Sequence, residues 1–434
     1  MVQTDNYIQT AVITDDIIDP RLTIRKKKLL AIHLFWTGFV IYSISNVLGQ
    51  NGYTSFAVAE SFEAIALVLI FTSAIKLVDF KFDSLFIQFI YLLYCSWLFI
   101  LIIKGGSLLL DIHFLKQFLF EPTFGGMFYF VPVVMLFPKN LNFYKALFDT
   151  IIIFGVLYII YDIVFIKDLI SSEPSILKTA IVELSTDLSF PCAFILLTYK
   201  YHSNKRIVFA AVVMVLTLLF SIMRARRGLI LLSSTIMLIS YFVYLFTSKQ
   251  KMLTIYLSIL VISIGALYAS YVYKPVQSNL FGYLLQRGEE DTRTGVEEQF
   301  YVDMKPRDWI IGRGINGEYW CPDIEEGQIT NYRSVIETGY LQIVLKGGLI
   351  SLGLFLLLGL FAMVKGFFYS NNLLSKAAAI TILWVLMSTY PATINTFTLR
   401  YILVWICMGI CFSKEIRRMP ESIMEEYFHS FIKK

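Results

Sequence analysis

Residues 207–246 read "IVFAAVVMVLTLLFSIMRARRGLILLSSTIMLISYFVYLF", two apolar runs (207–223 and 228–246) separated by a gap that holds Arg224, Arg226 and Arg227. As a helix, each run is long enough to cross a hydrocarbon core of roughly 30 Å. The gap leaves room for nothing but a reversal. The pair therefore reads as two consecutive membrane spans with a basic hairpin between them.

Similar runs recur along the chain, at 29–48, 57–75, 85–103, 117–137, 146–166, 179–199, 252–273, 339–364, 377–395 and 397–412. With the first pair, this predicts an all-α polytopic membrane protein of about twelve transmembrane helices. The run at 117–137 contains "EPTFGG" (121–126) and reads as broken or partly re-entrant. Composition agrees: the 434 residues are 57% hydrophobic and only 16% charged, with a mean hydropathy of +0.67. A soluble domain could not bury that much apolar surface. The net charge of +5 is mild and gives no nucleic-acid signature. Cys95, Cys192, Cys321, Cys407 and Cys411 lack metal-ligand spacing, so neither a metal nor a cofactor is expected.

Orientation follows from loop charge, because Lys and Arg accumulate on the cytoplasmic side. With the N-terminus inside, the cytoplasmic segments hold more than half of the 37 Lys and Arg residues, in stretches such as "RLTIRKKK", "KYHSNKR" and "KEIRR". The predicted organisation is a cytoplasmic segment 1–28, a transmembrane domain 29–412, and a cytoplasmic tail 413–434. One large external loop, 274–338, lies between the ninth and tenth helices. The arginines of "RARR" then face outward, against the bias of the other short loops. Guanidinium groups bind phosphate bidentately and keep their charge when partly desolvated, so the cluster points to an anionic lipid-linked phosphate. Arg224 and Arg227 are three apart and are expected to share a helix face, with Arg226 pointing elsewhere.

The long loop mixes acids, arginines and the aromatics Tyr301, Trp309, Tyr319, Trp320, Tyr332 and Tyr340. Such a mixture suits a sugar, with aromatic faces for pyranose rings and carboxylates for hydroxyl protons; a solvated loop with its own small core would show it too. Gly312, Gly314 and Gly317 spell the dinucleotide fingerprint, but no βαβ context surrounds them. They read instead as a tight turn against the membrane domain.

Taken together, these features resemble the superfamily of O-antigen polymerases and O-antigen ligases, bacterial inner-membrane glycosyltransferases with a large periplasmic loop late in the chain. Arg227-Gly228 is similar to the family's Arg-Gly at the outer start of a helix. Arg293 in "DTRTGVEEQF" resembles its early loop arginine, "GRG" (312–314) its turn, and "ETGYLQIVLKGGLISLG" (337–353) the segment that enters the next helix. Ligases of the superfamily carry a histidine where Glu337 stands here, and His33, His113, His202 and His429 all lie outside the loop. This departure favours polymerase over ligase.

The resemblance implies metal-independent transfer of a growing glycan from undecaprenyl pyrophosphate onto a lipid-linked repeat unit, with an active site facing the periplasm. Arg227 and Arg293 would stabilise the departing pyrophosphate, and Glu337 would take the acceptor proton, with Glu297 or Glu298 the weaker choice. Glu337 reads equally as a carboxylate that favours the helix N-terminus. Arg224, Arg313, Arg333, Tyr340 and Arg400 would contact pyrophosphate or glycan. Implied partners are the lipid-linked oligosaccharide and polysaccharide, membrane lipids and a chain-length regulator. A ligase acting on lipid A core and a lipid-oligosaccharide flippase are the competing readings. A flippase fits less well because no repeat relates the two halves.

Among intramembrane acids, Glu183 and Asp187 share a helix face and read as partners for inward-facing arginines, or as cavity lining, rather than as catalysts. Glu60 and Glu63 lie near an outer helix end.

Overall fold

Among the described residues, the apolar runs fold as helices wherever proline or glycine does not interrupt them. A computed structural model describes residues 20–50, 55–104, 111–120, 126–170, 176–224, 226–248, 294–322, 331–392 and 397–430. The long helices α1 (Pro20–Gln50), α2 (Phe56–Leu77) and α3 (Leu85–Lys104) are followed by the short α4 (Ile112–Phe120). Next come α5 (Leu141–Val164), α6 (Ile166–Ile170), α7 (Ile176–Ser189), α8 (Cys192–Leu197), α9 (Asn204–Met223) and α10 (Arg227–Thr247). Within the predicted long loop lie α11 (Thr294–Asp303), α12 (Pro306–Ile311) and a small antiparallel pairing of β1 (Tyr319–Trp320) with β2 (Tyr332–Arg333). The chain then continues through α13 (Gly339–Phe368), α14 (Leu373–Ser388), α15 (Leu399–Phe412), α16 (Lys414–Arg418) and α17 (Glu421–Ser430).

Seven of these helices are long and apolar enough to cross a membrane, and shorter apolar helices cover 184–197, 373–388 and 399–412. The protein is thus a multi-pass helical membrane protein. The predicted span 252–273, and residues 274–293 and 323–330 of the predicted loop 274–338, lie outside the described residues.

Three expected spans, 117–137, 179–199 and 339–364, are not continuous helices. In 117–137, α4 ends at Phe120 and the chain re-forms as 3₁₀ turns at Gly126–Tyr129 and Val131–Leu136. Pro132 opens the second turn, since its ring denies the backbone donor an α-helix needs. Such backbone is tolerated in a membrane only where protein supplies its hydrogen bonds. Here the Tyr91 hydroxyl donates to Pro132 O (3.1 Å) and Asp79 N to Leu136 O (2.9 Å). The expected span 179–199 is likewise divided, at Phe190-Pro191, into α7 and α8.

The centre of the bundle is α15. Every residue from Tyr401 to Phe412 is buried, as expected for a helix apolar on all sides. Trp405 stacks on Tyr94 at 5.6 Å, and Gly409 leaves no room for a Cβ against Met135 O, which would stand 2.9 Å away. The tail folds back: Phe428 packs on Phe148 and Tyr201, and the Tyr427 hydroxyl donates to Asn142 Oδ1 (2.5 Å).

α13 is two helices joined at Gly348, whose φ of 69° and ψ of −176° no side chain accepts comfortably. The break frees carbonyls inside an apolar bundle, where leaving each unpaired would cost roughly 1–3 kcal/mol. The glycine turn of the loop meets that demand. Arg313 N donates to Leu345 O (2.8 Å), Gly314 N to Lys346 O (2.9 Å), and Trp97 Nε1 to Gly347 O (2.9 Å). In return, Lys346 Nζ donates to Gly317 O (2.9 Å) and Lys104 Nζ to Gly312 O (3.0 Å). Gly312 and Gly314 both have positive φ. The three glycines therefore serve a turn against the membrane helices, as the sequence predicts.

A Cβ at Gly348 would fall 2.1 Å from Ile310 O, whereas one at Gly353 of the same helix meets nothing within 4 Å. Gly348→Ala is expected to abolish recovery of folded protein or to lower its melting temperature by more than 10 °C, with Gly353→Ala close to wild type. Size-exclusion and thermal unfolding profiles in detergent measure both; equal behaviour would refute the staple.

Candidate functional site

The basic hairpin is built by two helix ends. Arg224 caps α9, with its N–H on Phe220 O (3.0 Å), and Arg226 N returns to Ser221 O (3.0 Å). Arg226 O then accepts from Ile230 N (2.9 Å), so α10 begins at Arg227. Arg224 and Arg227 consequently do not share a helix face: the chain reverses between them. Arg224 is buried, Arg226 is half-buried, and Arg227 is exposed at the first position of α10. The N–H groups of this helix start add a partial positive charge to that of Arg227.

The glycine after Arg227 has a packing role. A Cβ on Gly228 would stand 3.3 Å from Pro391 O, in the turn that follows α14. At the start of α13, a Cβ on Gly339 would lie 2.8 Å from Thr389 O and 2.9 Å from Ala392 O. One turn, 389–392, is thus gripped by the N-termini of two helices. Further bonds fix it, from Trp384 Nε1 to Leu232 O (3.2 Å) and from the Tyr340 hydroxyl to Leu386 O. The turn brings Arg227 and the segment beginning at Glu337 to one rim of the bundle.

Arg400 reaches the same turn from within. Its guanidinium lies over Phe190 (5.0 Å) and Trp384 (5.1 Å), donates to Ser388 Oγ (2.7 Å), and feels the charge of Asp187. Asp187 therefore attends an inward-facing arginine, as its helix position predicts.

Two carboxylates stand about the start of α13. Glu337 precedes the cap residue Thr338 and is exposed, so it lies outside the helix and not in its first turn. The Thr338 hydroxyl donates to Glu297, in the first turn of α11. Tyr301, one turn further along α11, has its hydroxyl pushed up by burial, by Glu297 and by Tyr390 of the 389–392 turn. The rim thus combines an exposed arginine, two carboxylates and two tyrosines.

The other arginines divide. Arg333 lies in β2 opposite Tyr319, and the Tyr319 hydroxyl, pushed up to about 12 chiefly by burial, feels both Arg333 and Glu337. Arg333 therefore stands in the same locality as Glu337. Arg313 does not have a free guanidinium: it pairs with Asp303 and with Asp308 (3.0 Å) and donates to Asp303 O and Glu318 O, both at 2.6 Å. It anchors the loop. Arg293, one residue before α11, lies outside the described residues, and so does the side chain of Glu183.

Sequence reasoning missed Asp162. It is 4% exposed in α5, beside the Tyr158 hydroxyl. A carboxylate inside a predicted span was the available signal. Tyr390 and Thr338 carried none, because only the fold brings Thr338 to Glu297 and Tyr390 near Tyr301. Glu60 pairs with Lys116 of α4 at 2.6 Å, and Glu63 is buried.

Burial alone would raise the Asp303 carboxyl, but Arg313 and the Trp320 N–H outweigh it and hold it below the usual carboxylate range. A depressed value means that the pair stabilises the loop fully above the unfolded carboxylate value near 4, and progressively less as pH falls through the lower folded value. Amide protection across 294–322, taken relative to the intrinsic exchange rate at each pH, is expected to be flat from pH 7 to 5 and to fall below about pH 4. Asp303→Asn should already show the faster exchange at pH 7. Uniform protection down to pH 3 would refute the assignment.

No protein-family model, curated protein or solved structure matches the chain.

Proposed function

We propose that the protein is a surface-polysaccharide (O-antigen) polymerase of the bacterial inner membrane, working at the periplasmic face. It would move a growing glycan from undecaprenyl pyrophosphate onto the terminal sugar of a lipid-linked repeat unit. The observation that carries this reading is the seating of Arg227 and Glu337 on one turn, through the close approaches of Gly228 and Gly339. It places a permanent cation and a solvent-facing carboxylate on one rim, with the aromatics Tyr301 and Tyr390 beside them.

In the reaction, the acceptor hydroxyl gives its proton to Glu337 and its oxygen bonds to the anomeric carbon of the donor. The bond from that carbon to the pyrophosphate oxygen breaks, and the pyrophosphate leaves with the electron pair. Negative charge grows on the leaving oxygen, and Arg227 at the start of α10 stabilises it, with Arg293 the second arginine that the resemblance implies; Arg224, buried at the end of α9, shapes the hairpin. Glu297, held by Thr338, positions the start of α13 and is the weaker candidate for the base. Arg333 and Tyr340 border the glycan, and Arg400 supports the turn from below. Arg313 keeps the loop in place.

Purified protein in liposomes is expected to lengthen a lipid-linked repeat unit with no ion gradient present. Arg227→Ala should lower the rate about 100-fold or more, and Glu337→Gln similarly. Arg227→Lys should fall between Arg227→Ala and wild type, because an ammonium cannot reproduce the bidentate fork. Transport without chain growth, or wild-type polymer from Arg227→Ala, would sink the reading. In a deletion strain, single repeats on the lipid A core would support polymerase, and a bare core would indicate ligase.

A further inference from the structure

The opposite end of the bundle carries a second basic cluster that the transfer reading does not use. Where α13 ends and α16 begins, a cavity of about 940 Å³ is lined by Lys365, Lys414, Arg417 and Arg418, together with Phe361 and Phe368. Among the described residues, none of the four cations forms an ion pair. Arg417 is 8% exposed; one arm donates to Tyr369 O (2.9 Å), while its Nε is buried with no hydrogen-bond partner. Lys365 lies over the Phe412 ring at 5.9 Å. The acid that acts on this group is Asp83, whose carboxylate is engaged by the Lys414 N–H. Gathering cations against one another is unfavourable unless an anion joins them.

The surface below the cations names the occupant. Leu357, Leu360, Phe361, Val364 and Phe368 are exposed at helical spacing, making an apolar stripe along α13 that runs into the basic end. Phe86 of α3 extends it by packing edge-on against Phe361 at 5.4 Å. A free anion would use the cations and leave the stripe, and a neutral lipid would do the reverse. At about 940 Å³ the cavity lies at the upper end of the usual ligand range, roughly 300–1,000 Å³, enough for a glycerophosphate head and the first part of its chains.

We propose that this groove binds an anionic phospholipid, with its phosphodiester between Arg417, Arg418, Lys414 and Lys365 and its acyl chains along the α13 stripe. Basic pockets between membrane helices take such headgroups, and each added cation strengthens the attraction. Binding would tie α13 to α16 across the outer surface of the central helix. The site stands independently of the transfer chemistry at the other end.

The test uses the full chain in neutral detergent, titrated with phosphatidylglycerol, phosphatidylcholine or inorganic phosphate while thermal unfolding and native mass spectra are recorded. Phosphatidylglycerol is expected to raise the melting temperature and to appear as a bound adduct, with neither effect from phosphatidylcholine or millimolar phosphate. The double variant Lys414→Gln, Arg418→Gln removes two exposed charges. It should bind phosphatidylglycerol about thirtyfold more weakly, with an unchanged melting temperature in the absence of lipid. Lys205→Gln, an exposed charge at the start of α9, should leave affinity unchanged. Equal stabilisation by both lipids, full substitution by inorganic phosphate, wild-type affinity of the double variant, or an equal loss in Lys205→Gln would each overturn the proposal.

Discussion

In hydrocarbon, every backbone carbonyl and N–H must find a partner within the protein, and the architecture turns on how this chain meets that demand at Gly348. A helix interrupted there exposes carbonyls in the middle of the bundle. The Gly312–Gly314 turn supplies the missing donors, so the loop is part of the membrane domain. Trp97 and Lys104 extend the same network to α3. Because the turn is held, α11 is held, and with it the Glu297 that meets Thr338 at the start of α13.

The rim shows how small residues place charged ones. Gly228 and Gly339 do no chemistry, yet each lets a helix start come within contact of the 389–392 turn. Arg227 adjoins the first glycine and Glu337 stands two residues before the second, so their backbone positions follow from these close approaches. The half-buried Arg400, set against both the Phe190 and Trp384 rings, stiffens the turn from inside. A preorganised polar rim above a packed core is what charge stabilisation in a transferring site requires.

Much of this was legible in the residues. Runs such as 85–103, 207–223 and 228–246 became the helices expected of them, because an apolar stretch of that length has few alternatives in a membrane. Arg227 stood out because charge is conspicuous between apolar runs. The 3₁₀ passage from 126 to 136 was only half legible: Pro122 and the adjacent glycines warned of a break, but the path depends on Tyr91 and Asp79. The break at Gly348 was hidden, since "KGGLISLG" looks like an ordinary glycine-tolerant span and the turn that completes it lies far upstream. The shared turn at 389–392 was invisible for the same reason: its contacts are all distant in sequence.

The placement of α15 bears on how the bundle is assembled. The most enclosed helix, with every residue from Tyr401 to Phe412 buried, follows in the chain the long helices of the bundle. Those helices are each apolar enough to settle in the bilayer as they are made, yet they share no common core until α15 joins them. The docking of Phe428 and Tyr427 on α5 then closes one end of the bundle behind it. Insertion and folding are thereby separated in time: each span can settle in the membrane singly, but the core forms only when α15 has followed the others.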